Sequence, residues 1–539
     1  DTLGDVIRME SGRLEGDELS GFEGHSVVKT SAYDSNGVEV FQDDPDRLEM
    51  YFVYNELGDL IRWQDGRGIT NSYAYDLGGR LTAEDYGNDF LADVLYGYDE
   101  AFSAEWYDTE ITCHRFDPLA DCPSAQENLL GKLSYVEDRS GTRIWSYDVR
   151  GLTQWVNMQM SSYEMDAYDE WIKRDDLSQI WHTETQYDEM GRALWQDFPE
   201  EGSRVHYQYS ERGLIDSLVL DRPTWMDPQP VIQKVYYDAL GKQTRVEYGD
   251  DSQTTVEYAY DDRQRLTDLL AHQESYDPGE GPPEDRTLME YEYQFDAGNN
   301  IWKIIDHRSY ELISDWSPVP VDYEYAYDSL NRLKTASPSY HESQPDRIGV
   351  QEWAFDKLGS MKTWTDPAHG FYGWSLANIR NGLQLIEDEE LTIVDDRPPA
   401  PHALYKAYDE VSGEGSYLVA HYDFGGYMTS LEVYKGCGEC NSEDYTCELP
   451  CDTAELTELF WDEVGRLIEA KKRPGTCDEV ECTFSETPTT HYQHTYDSSN
   501  VRTVKKDVLE EDYDLYLSSG FEICGATLSV ADEFEGGES

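Results

Sequence analysis

The residues with the clearest chemical potential in this 539-residue chain are its cysteines. Six of the nine form three closely spaced pairs, namely Cys437 and Cys440, Cys447 and Cys451, and Cys477 and Cys482. Closely spaced thiolates suit the tetrahedral coordination of zinc. An even number of cysteines in an acidic segment rich in Gly and Pro favours disulfide bonds instead. We favour disulfides, which would place the mature protein outside the cytoplasm, and keep zinc as the alternative.

The other three cysteines lie outside this group. Cys113 and Cys122 are close enough in sequence to close a small loop as a further disulfide. Cys524 is then left over, and we expect it to be a free thiol.

The polar side chains form no catalytic constellation. The chain has 111 Asp and Glu residues, so neighbouring carboxylates carry little information. Its 12 histidines show no His-Glu-x-x-His motif, and it has no Gly-rich phosphate loop, no Gly-x-Ser-x-Gly elbow and no EF-hand calcium loop. The sequence therefore predicts a protein that is not an enzyme, with no catalytic, cofactor-binding or metal-binding residues.

The charge balance limits the partners. Lys and Arg number 42 against the 111 acidic residues, which gives a net charge of −69. Nucleic acids and anionic membranes require basic patches, and none is visible. The sequence contains no run of about 18 apolar residues, the length that a membrane-spanning helix requires. Scarce lysine with abundant acid is also typical of proteins adapted to high salt, but we favour the simpler interpretation of a solvated acidic surface that serves solubility. The chain begins at Asp1 without an initiator Met, so we expect it to be processed or to be part of a longer polypeptide.

This charge predicts a salt-dependent stability. The screening length is about 30 Å at 0.01 M salt and about 3 Å at 1 M, so self-repulsion is strong only at low salt. We expect the melting temperature to rise with sodium chloride, most steeply at the lowest concentrations. Thermal melts followed by circular dichroism check this, and a melting temperature that is flat or falls between about 0.01 and 0.5 M salt contradicts it.

A repeated octet organises the chain, and its clearest copy runs from Tyr187 to Leu194. An aromatic residue ends one strand, Asp188 can fold back on nearby amides, and Gly191 supplies the positive φ of a short hairpin loop. Arg192 and an aliphatic residue start the return strand. The structural turn positions predicted in four copies are Tyr75, Asp76, Gly79 and Arg80; Tyr187, Asp188, Gly191 and Arg192; Tyr237, Asp238 and Gly241; and Trp461, Asp462, Gly465 and Arg466.

The spacing of the copies predicts one β-hairpin for each repeat. Where no insertion intervenes, successive motif tyrosines lie 21 to 23 residues apart, as from Tyr54 to Tyr75 and on to Tyr98. Two strands with two turns account for that length. Aromatics two residues apart, such as Tyr323, Tyr325 and Tyr327, share one face of the sheet, and we expect neighbouring hairpins to stack them into ladders. The predicted fold is an all-β, antiparallel sheet of repeated hairpins.

The organisation along the chain follows from where the repeat is regular. Residues 1–50 are a degenerate N-terminal repeat region, 51–520 form the repeat array, and 521–539 are an acidic end that we expect to fray. A short helix is predicted at 453–459, capped by Thr453. The predicted insertions in the array are 100–145, 157–180, 274–286, 366–416 and the Cys-rich segment 437–482.

Aromatic-Asp-x-x-Gly-Arg-Leu at this step resembles the RHS, or YD-repeat, family over roughly residues 50 to 520. The later segments 501–506 and 515–523 look like the late RHS region of SpvB-related toxins and of the C component of insecticidal toxin complexes. The resemblance implies a spiralling sheet that closes as a hollow shell or barrel. The family's self-cleavage site, with its Asp-Pro-x-Gly-type end, has no counterpart here, so neither that protease nor a toxin is assigned to any residue.

The resemblance implies a secreted, non-enzymatic shell wall that encloses a C-terminal toxin or cargo polypeptide, with a further protein partner to close it. Nucleic acid is not expected as a partner. The alternative is adhesion or carbohydrate binding at the cell surface, as in the similar barrel of teneurins, because exposed Tyr and Trp side chains suit that role. An enzyme is the least favoured function.

Overall fold

The computed structural model is built from antiparallel strands. It describes residues 8–11, 13–15, 18–20, 27–87, 92–103, 113–114, 125–160, 162–165, 171–174, 180–199, 203–222, 227–249, 253–276, 284–308, 320–340, 349–356, 358–365, 378–382, 400–409, 415–438, 440–441, 446–447, 451–518, 521–528 and 534–535.

The strands of the first two thirds of the chain are β1 Arg8–Ser11, β2 Arg13–Glu15, β3 Glu18–Ser20, β4 Val27–Tyr33, β5 Glu39–Asp44, β6 Leu48–Tyr54, β7 Leu60–Gln64, β8 Thr70–Tyr75, β9 Leu81–Asp85, β10 Val94–Tyr98, β11 Cys113–His114, β12 Leu133–Asp138, β13 Gly141–Tyr147, β14 Thr153–Met160, β15 Ser162–Met165, β16 Trp171–Arg174, β17 Ile180–Tyr187, β18 Ala193–Phe198, β19 Ser203–Tyr209, β20 Ile215–Asp221, β21 Gln229–Tyr237, β22 Gln243–Tyr248, β23 Thr254–Tyr260, β24 Leu266–Tyr276, β25 Glu284–Phe295, β26 Ile301–Asp306, β27 Val321–Tyr327, β28 Leu333–Tyr340, β29 Gln351–Phe355 and β30 Met361–Thr365.

The strands of the last third are β31 Asn378–Asn381, β32 Leu404–Asp409, β33 Gly415–Tyr422, β34 Met428–Cys437, β35 Cys440–Asn441, β36 Thr446–Cys447, β37 Thr453–Trp461, β38 Leu467–Cys477, β39 Cys482–Phe484, β40 Thr490–Tyr496, β41 Arg502–Asp507, β42 Asp512–Ser518, β43 Phe521–Leu528 and β44 Phe534–Glu535.

Two long sheets contain most of these strands. A 26-stranded sheet, named here the first coil, runs from β1 through β4 to β30, and a 12-stranded sheet, the second coil, runs from β31 to β44. Most strands pair antiparallel with the next strand along the chain, whereas β11 lies parallel to β17. The pairs β2 with β3, β15 with β16 and β35 with β36 form small separate sheets. The prediction of an all-β antiparallel sheet is confirmed.

Each repeat turn folds by the same local rule. In the hairpin of β17 and β18, the N–H of Asp188 donates to the carbonyl of Arg192 at 2.8 Å, and the N–H of Gly191 donates to the carbonyl of Asp188 at 3.1 Å. The strand register shifts beside Tyr187, which therefore sits at a bulge. This is a short loop closed by a bulged residue with positive φ, at +83° for Gly191. Asn500 takes the same conformation at +61°.

The helix predicted at 453–459 is wrong. These residues belong to β37, which pairs along its length with β34 on one side and with β38 on the other. An isolated helix this short is marginal, whereas a strand between two neighbours has both rows of its backbone groups hydrogen-bonded.

Several predicted insertions contribute strands to the coils. The range 100–145 contains β12 and the start of β13, 366–416 contains β31 and β32, and 437–482 contains β37 and all of β38. The acidic end contributes β43 and β44 to the second coil. The residues of these ranges that lie outside strands are therefore fewer than the sequence pattern suggested.

The apolar core is divided into small clusters. The largest buried cluster joins Met158, Met160 and Trp181 of the first coil to Val504 and Leu515 of the second. Packing between the two coils thus provides burial that one sheet cannot give itself. Among the described residues, none lies in a helix long and apolar enough to cross a membrane.

Candidate functional site

The turn aspartates are saturated with local hydrogen bonds. Asp188 Oδ1 accepts the N–H groups of Met190 and Arg192 at 2.8 and 2.9 Å, and its Oδ2 accepts Arg192 Nε at 2.7 Å. The same Asp–Arg pairing holds Asp76 to Arg80 at 2.7 Å. In this arrangement the carboxylate is fully used by its own turn and is not free to act as a nucleophile or base.

The motif aromatics connect each hairpin to an earlier one. The hydroxyl of Tyr187 donates to the carbonyl of Thr153 at 2.9 Å. Thr153 is the first residue of the strand that follows the preceding motif turn. The indole N–H of Trp461 donates in the same way to Met428 at 2.7 Å. Equivalent bonds run from Tyr75 to Leu60, Tyr209 to Ala193, Tyr237 to Ile215, Tyr260 to Gln243, Tyr327 to Ile301 and Tyr496 to Leu467.

Motif cations lie between successive motif aromatics. The guanidinium carbon of Arg192 is 4.4 Å from the ring centroid of Tyr209, and that of Arg80 is 4.5 Å from that of Tyr98. Motif aromatics lie two strands apart, about 9.5 Å, and cannot touch one another. A guanidinium fills this gap and gains a cation–π contact. The same arrangement pairs Lys242 with Tyr260, Arg265 with Phe295, Arg332 with Phe355 and Arg466 with Tyr496.

The sequence reasoning missed this role of the basic residue. Stacked rings do occur where strands are adjacent, as between Tyr417 and Tyr434 at 4.4 Å. At the motif positions, however, the ladder alternates aromatic and cation. The signal was present in the recurrence of Arg or Lys at one fixed position of the repeat.

The turn hydrogen bonds imply a measurable pH effect. The backbone N–H of Arg192, together with its guanidinium, lowers the pKa of Asp188 from its ordinary value. A carboxylate with a lowered folded-state pKa stabilises the protein above the unfolded-state value and loses that contribution as the pH falls through the folded-state value. Asp188→Asn keeps the turn acceptor but not the charge. We expect it to melt below the parent at pH 7, with a difference that shrinks on acidification below about pH 4.

The matched control is Asp262→Asn, because that carboxylate is exposed at the next position of another motif turn. Its melting temperature relative to the parent should change little with pH. If the Asp188→Asn difference is the same at pH 3 and pH 7, charge pairing in the turn is not the source of its effect.

The two coils meet along a seam. Each coil has a motif rim, where the repeat turns lie, and an opposite rim, formed by the loops at the other strand ends. Arg67, on the opposite rim of the first coil, donates to the main-chain carbonyls of Asp462 and Glu463 at 2.9 and 3.0 Å. The motif rim of the second coil is therefore docked on the opposite rim of the first.

The same contact recurs along the seam. Arg143 Nη1 lies 3.0 Å from Asp497 Oδ2, and the N–H of Ser498 donates to Asp138 Oδ2 at 2.7 Å. At an earlier position, the N–H of His402 donates to Asp46 Oδ1 at 3.0 Å. Residues further along the first coil contact residues further along the second. The contacting residues are 324 to 396 positions apart in the sequence. The chain thus returns beside itself in order, as successive windings of one ribbon do.

At the centre of the seam, the positive charge of Arg139 lies between the carboxyl groups of two acidic residues. Its guanidinium contacts Asp93 Oδ1 at 2.7 Å and Glu463 Oε2 at 2.8 Å. The ring of Tyr86 lies 5.5 Å from Arg139 on one coil and 5.5 Å from Arg466 on the other. Burial raises the pKa of Asp93, while Arg139 holds the pKa of Glu463 below its ordinary value although burial opposes this.

Apolar contacts extend the seam on either side. Val464, in a motif turn of the second coil, packs against the buried cluster that contains Tyr86, Val94 and Val136. Further along, the rings of Phe198 and Phe521 stack with centroids 5.6 Å apart. The seam is therefore a continuous interface of charge pairs, backbone hydrogen bonds and apolar side chains.

The cysteines form disulfides on the opposite rim of the second coil. The bonded pairs are Cys437 with Cys451 and Cys477 with Cys482. Cys440 and Cys447 lie opposite each other in the backbone register of β35 and β36. Cys113 is in β11, while Cys122 lies outside the described residues. Cys524 is an exposed free thiol, as expected.

No protein-family model and no curated protein matches the sequence. Solved structures do match the fold. The crystal structure of TcdB2-TccC3-Cdc42 aligns with 100% of this chain at a TM-score of 0.52 and 15% identity, and that of TcdB2-TccC3 with 99% at 0.52 and 14%. The Tc holotoxin pore of Photorhabdus luminescens aligns with 100% at 0.50 and 15%.

The fold is that of an RHS-repeat shell. The likeness concerns the fold, and this chain spans only 26% to 28% of the length of the three matched chains. The resemblance expected from the repeated octet is confirmed.

Proposed function

We propose that this chain is a non-enzymatic wall segment of an RHS-repeat shell that encloses a toxin or another polypeptide. The observation that carries the proposal is the seam. It joins the rim of one winding of the sheet, formed by strand ends, to the rim of the next winding. A sheet wound in this way encloses space without filling it, and the division of the core into small clusters agrees with a thin wall.

A further partner follows from the free motif rim of the first coil. Large apolar side chains stand exposed in its turns: Leu57, Met190, Leu240 and Leu330. Val464 occupies the same motif position in the second coil and is packed into the seam. We propose that the free rim docks the opposite rim of another RHS winding, supplied by a shell-closing protein as TcdB2 accompanies TccC3 in the matched structures. The disulfides support an extracellular location.

Electron cryomicroscopy of the protein, purified together with the polypeptides that accompany it in its native source, tests the proposal. We expect a hollow particle whose wall contains the two coils with their seam, and density for a polypeptide inside. Protease treatment should spare that polypeptide in the intact particle and digest it once the wall is denatured. A solid particle or an open flat sheet would contradict encapsulation, and specific binding on a glycan array would favour adhesion instead.

A further inference from the structure

Four cysteines at or near separate strand ends meet on the opposite rim of the second coil. Cys437 ends β34, Cys477 ends β38, Cys482 begins β39, and Cys451 lies two residues before β37. The strands β34, β37, β38 and β39 are consecutive neighbours in the sheet. The hairpin topology therefore gathers side chains that are up to 45 positions apart in the sequence into one place.

The sulfur atoms are closer together than the two disulfide bonds alone require. The Sγ atoms of Cys451, Cys477 and Cys482 all lie within 4.8 Å of one another, and Cys437 is bonded to Cys451. A tetrahedral zinc–thiolate centre has Zn–S bonds of about 2.3 Å, which places its sulfurs about 3.8 Å apart. Once the Cys477–Cys482 bond is broken, those two sulfurs must separate from bonding distance to about 3.8 Å, whereas the distance from Cys451 Sγ to each of them exceeds that value by about 1 Å at most.

The surroundings suit a soft donor set. Cys437 and Cys451 are each 4% exposed, and they pack with Tyr434, Ala454 and the partly buried Phe484 in one apolar cluster. Calcium and magnesium require oxygen ligands, whereas four thiolates form an established donor set for structural zinc. The cluster lies apart from the seam contacts, so it is not needed to explain how the two coils dock.

We propose that Cys437, Cys451, Cys477 and Cys482 bind one zinc ion when both disulfides are reduced. Reduction by a thiol reductant transfers two electrons and two protons to each disulfide and oxidises the reductant to its own disulfide. Zinc then replaces the thiol protons and joins the same four strand ends that the disulfides join in the oxidised protein. The site keeps these neighbouring strand ends linked in either redox state.

Cobalt(II) titration of the reduced full-length protein tests the proposal. After reduction with a phosphine under anaerobic conditions, we expect one cobalt per chain, with the sulfur-to-cobalt charge-transfer band and the intense visible bands of tetrahedral tetrathiolate cobalt. Zinc should displace the cobalt stoichiometrically. The oxidised protein should give no such spectrum.

Two double variants identify the ligands. Cys477→Ser/Cys482→Ser retains the Cys437–Cys451 bond before reduction, and Cys437→Ser/Cys451→Ser retains the other. Each should lose the tetrathiolate spectrum and bind cobalt at least tenfold more weakly, while far-UV circular dichroism confirms that the sheet persists. Cys524→Ser and Cys440→Ser are the matched controls and should bind as the parent does. Parent-like binding by either double variant, loss of binding in Cys440→Ser, or no binding by the folded reduced parent would overturn the proposal.

Discussion

Gly465→Ala is expected to destabilise the protein by about 2–5 kcal/mol, because it combines a strained backbone with a steric clash at the seam. Gly465 has φ +84°, where an L-residue costs about 1–2 kcal/mol. A Cβ at this position would also fall against the ring of Tyr427, within 2.8 Å of Cε1. Overpacking of this kind costs about 1–3 kcal/mol more.

The clash would be transmitted to the docking contact. Tyr427 stacks on Trp461 with centroids 5.2 Å apart, and the guanidinium of Arg67 lies 4.8 Å over the Tyr427 ring. Arg67 is the residue that donates to Asp462 and Glu463 across the seam. Moving the ring therefore displaces the first coil from the second.

Gly79→Ala is the matched control for backbone strain alone. Gly79 holds the same turn position with φ +77°, and a Cβ there would meet no atom within 4 Å. We expect a loss of about 1–2 kcal/mol for this variant. Urea unfolding followed by tryptophan fluorescence measures both variants, and equal midpoints for the two would show that the Tyr427 contact adds nothing.

Arg139→Met is expected to cost about 2–4 kcal/mol at neutral pH. It leaves Asp93 and Glu463 without their common cation in a partly buried setting, where Arg139 is 20% exposed and Glu463 is 35% exposed. We expect a smaller loss of stability than the largest that follows the breaking of a fully buried ion pair, because solvent reaches Glu463. The urea midpoint at pH 7 gives the measured value.

The pH dependence of this loss has a definite sign. In the parent, the lowered pKa of Glu463 gives stability above its unfolded-state value, and this is lost as the pH falls through the folded-state value. The raised pKa of Asp93 means that its ionisation already opposes folding, and it should oppose folding more once Arg139 is absent. Both effects make the difference between parent and variant shrink below about pH 4.5.

Arg150→Met is the matched control, because Arg150 pairs with Asp148 at 2.8 Å but is 39% exposed and lies away from the seam. Exposed pairs of this kind contribute about 0–1 kcal/mol. If Arg139→Met and Arg150→Met shift the midpoint equally, Arg139 does not hold the seam together.

The local part of the fold was open to prediction from the sequence. Asp188 and Gly191 act within one turn, so their types and spacing are sufficient to place them. The contacts between repeats could be predicted only in part. The sequence places Tyr187 on its strand, but its hydrogen bond to Thr153 depends on the position of the neighbouring hairpin.

The seam could not be predicted in the same way. Leu240 and Val464 occupy the same motif position, yet Leu240 is 72% exposed while Val464 packs against the first coil. The difference depends on how far the ribbon has wound when each turn is reached. No local pattern carries that information, because it is the sum of small twists over more than 300 residues.

The order of contacts along the seam has a consequence for synthesis on the ribosome. Hairpins of the first coil can form as they emerge, but the side chains that cover Met158 and Trp181 come from residues 504–526. At about 5–20 residues per second, a separation of 324 to 396 residues takes about 15–80 s to translate. During that interval the nascent chain carries apolar side chains that their partners do not yet cover, and transiently exposed apolar surface of this kind favours aggregation.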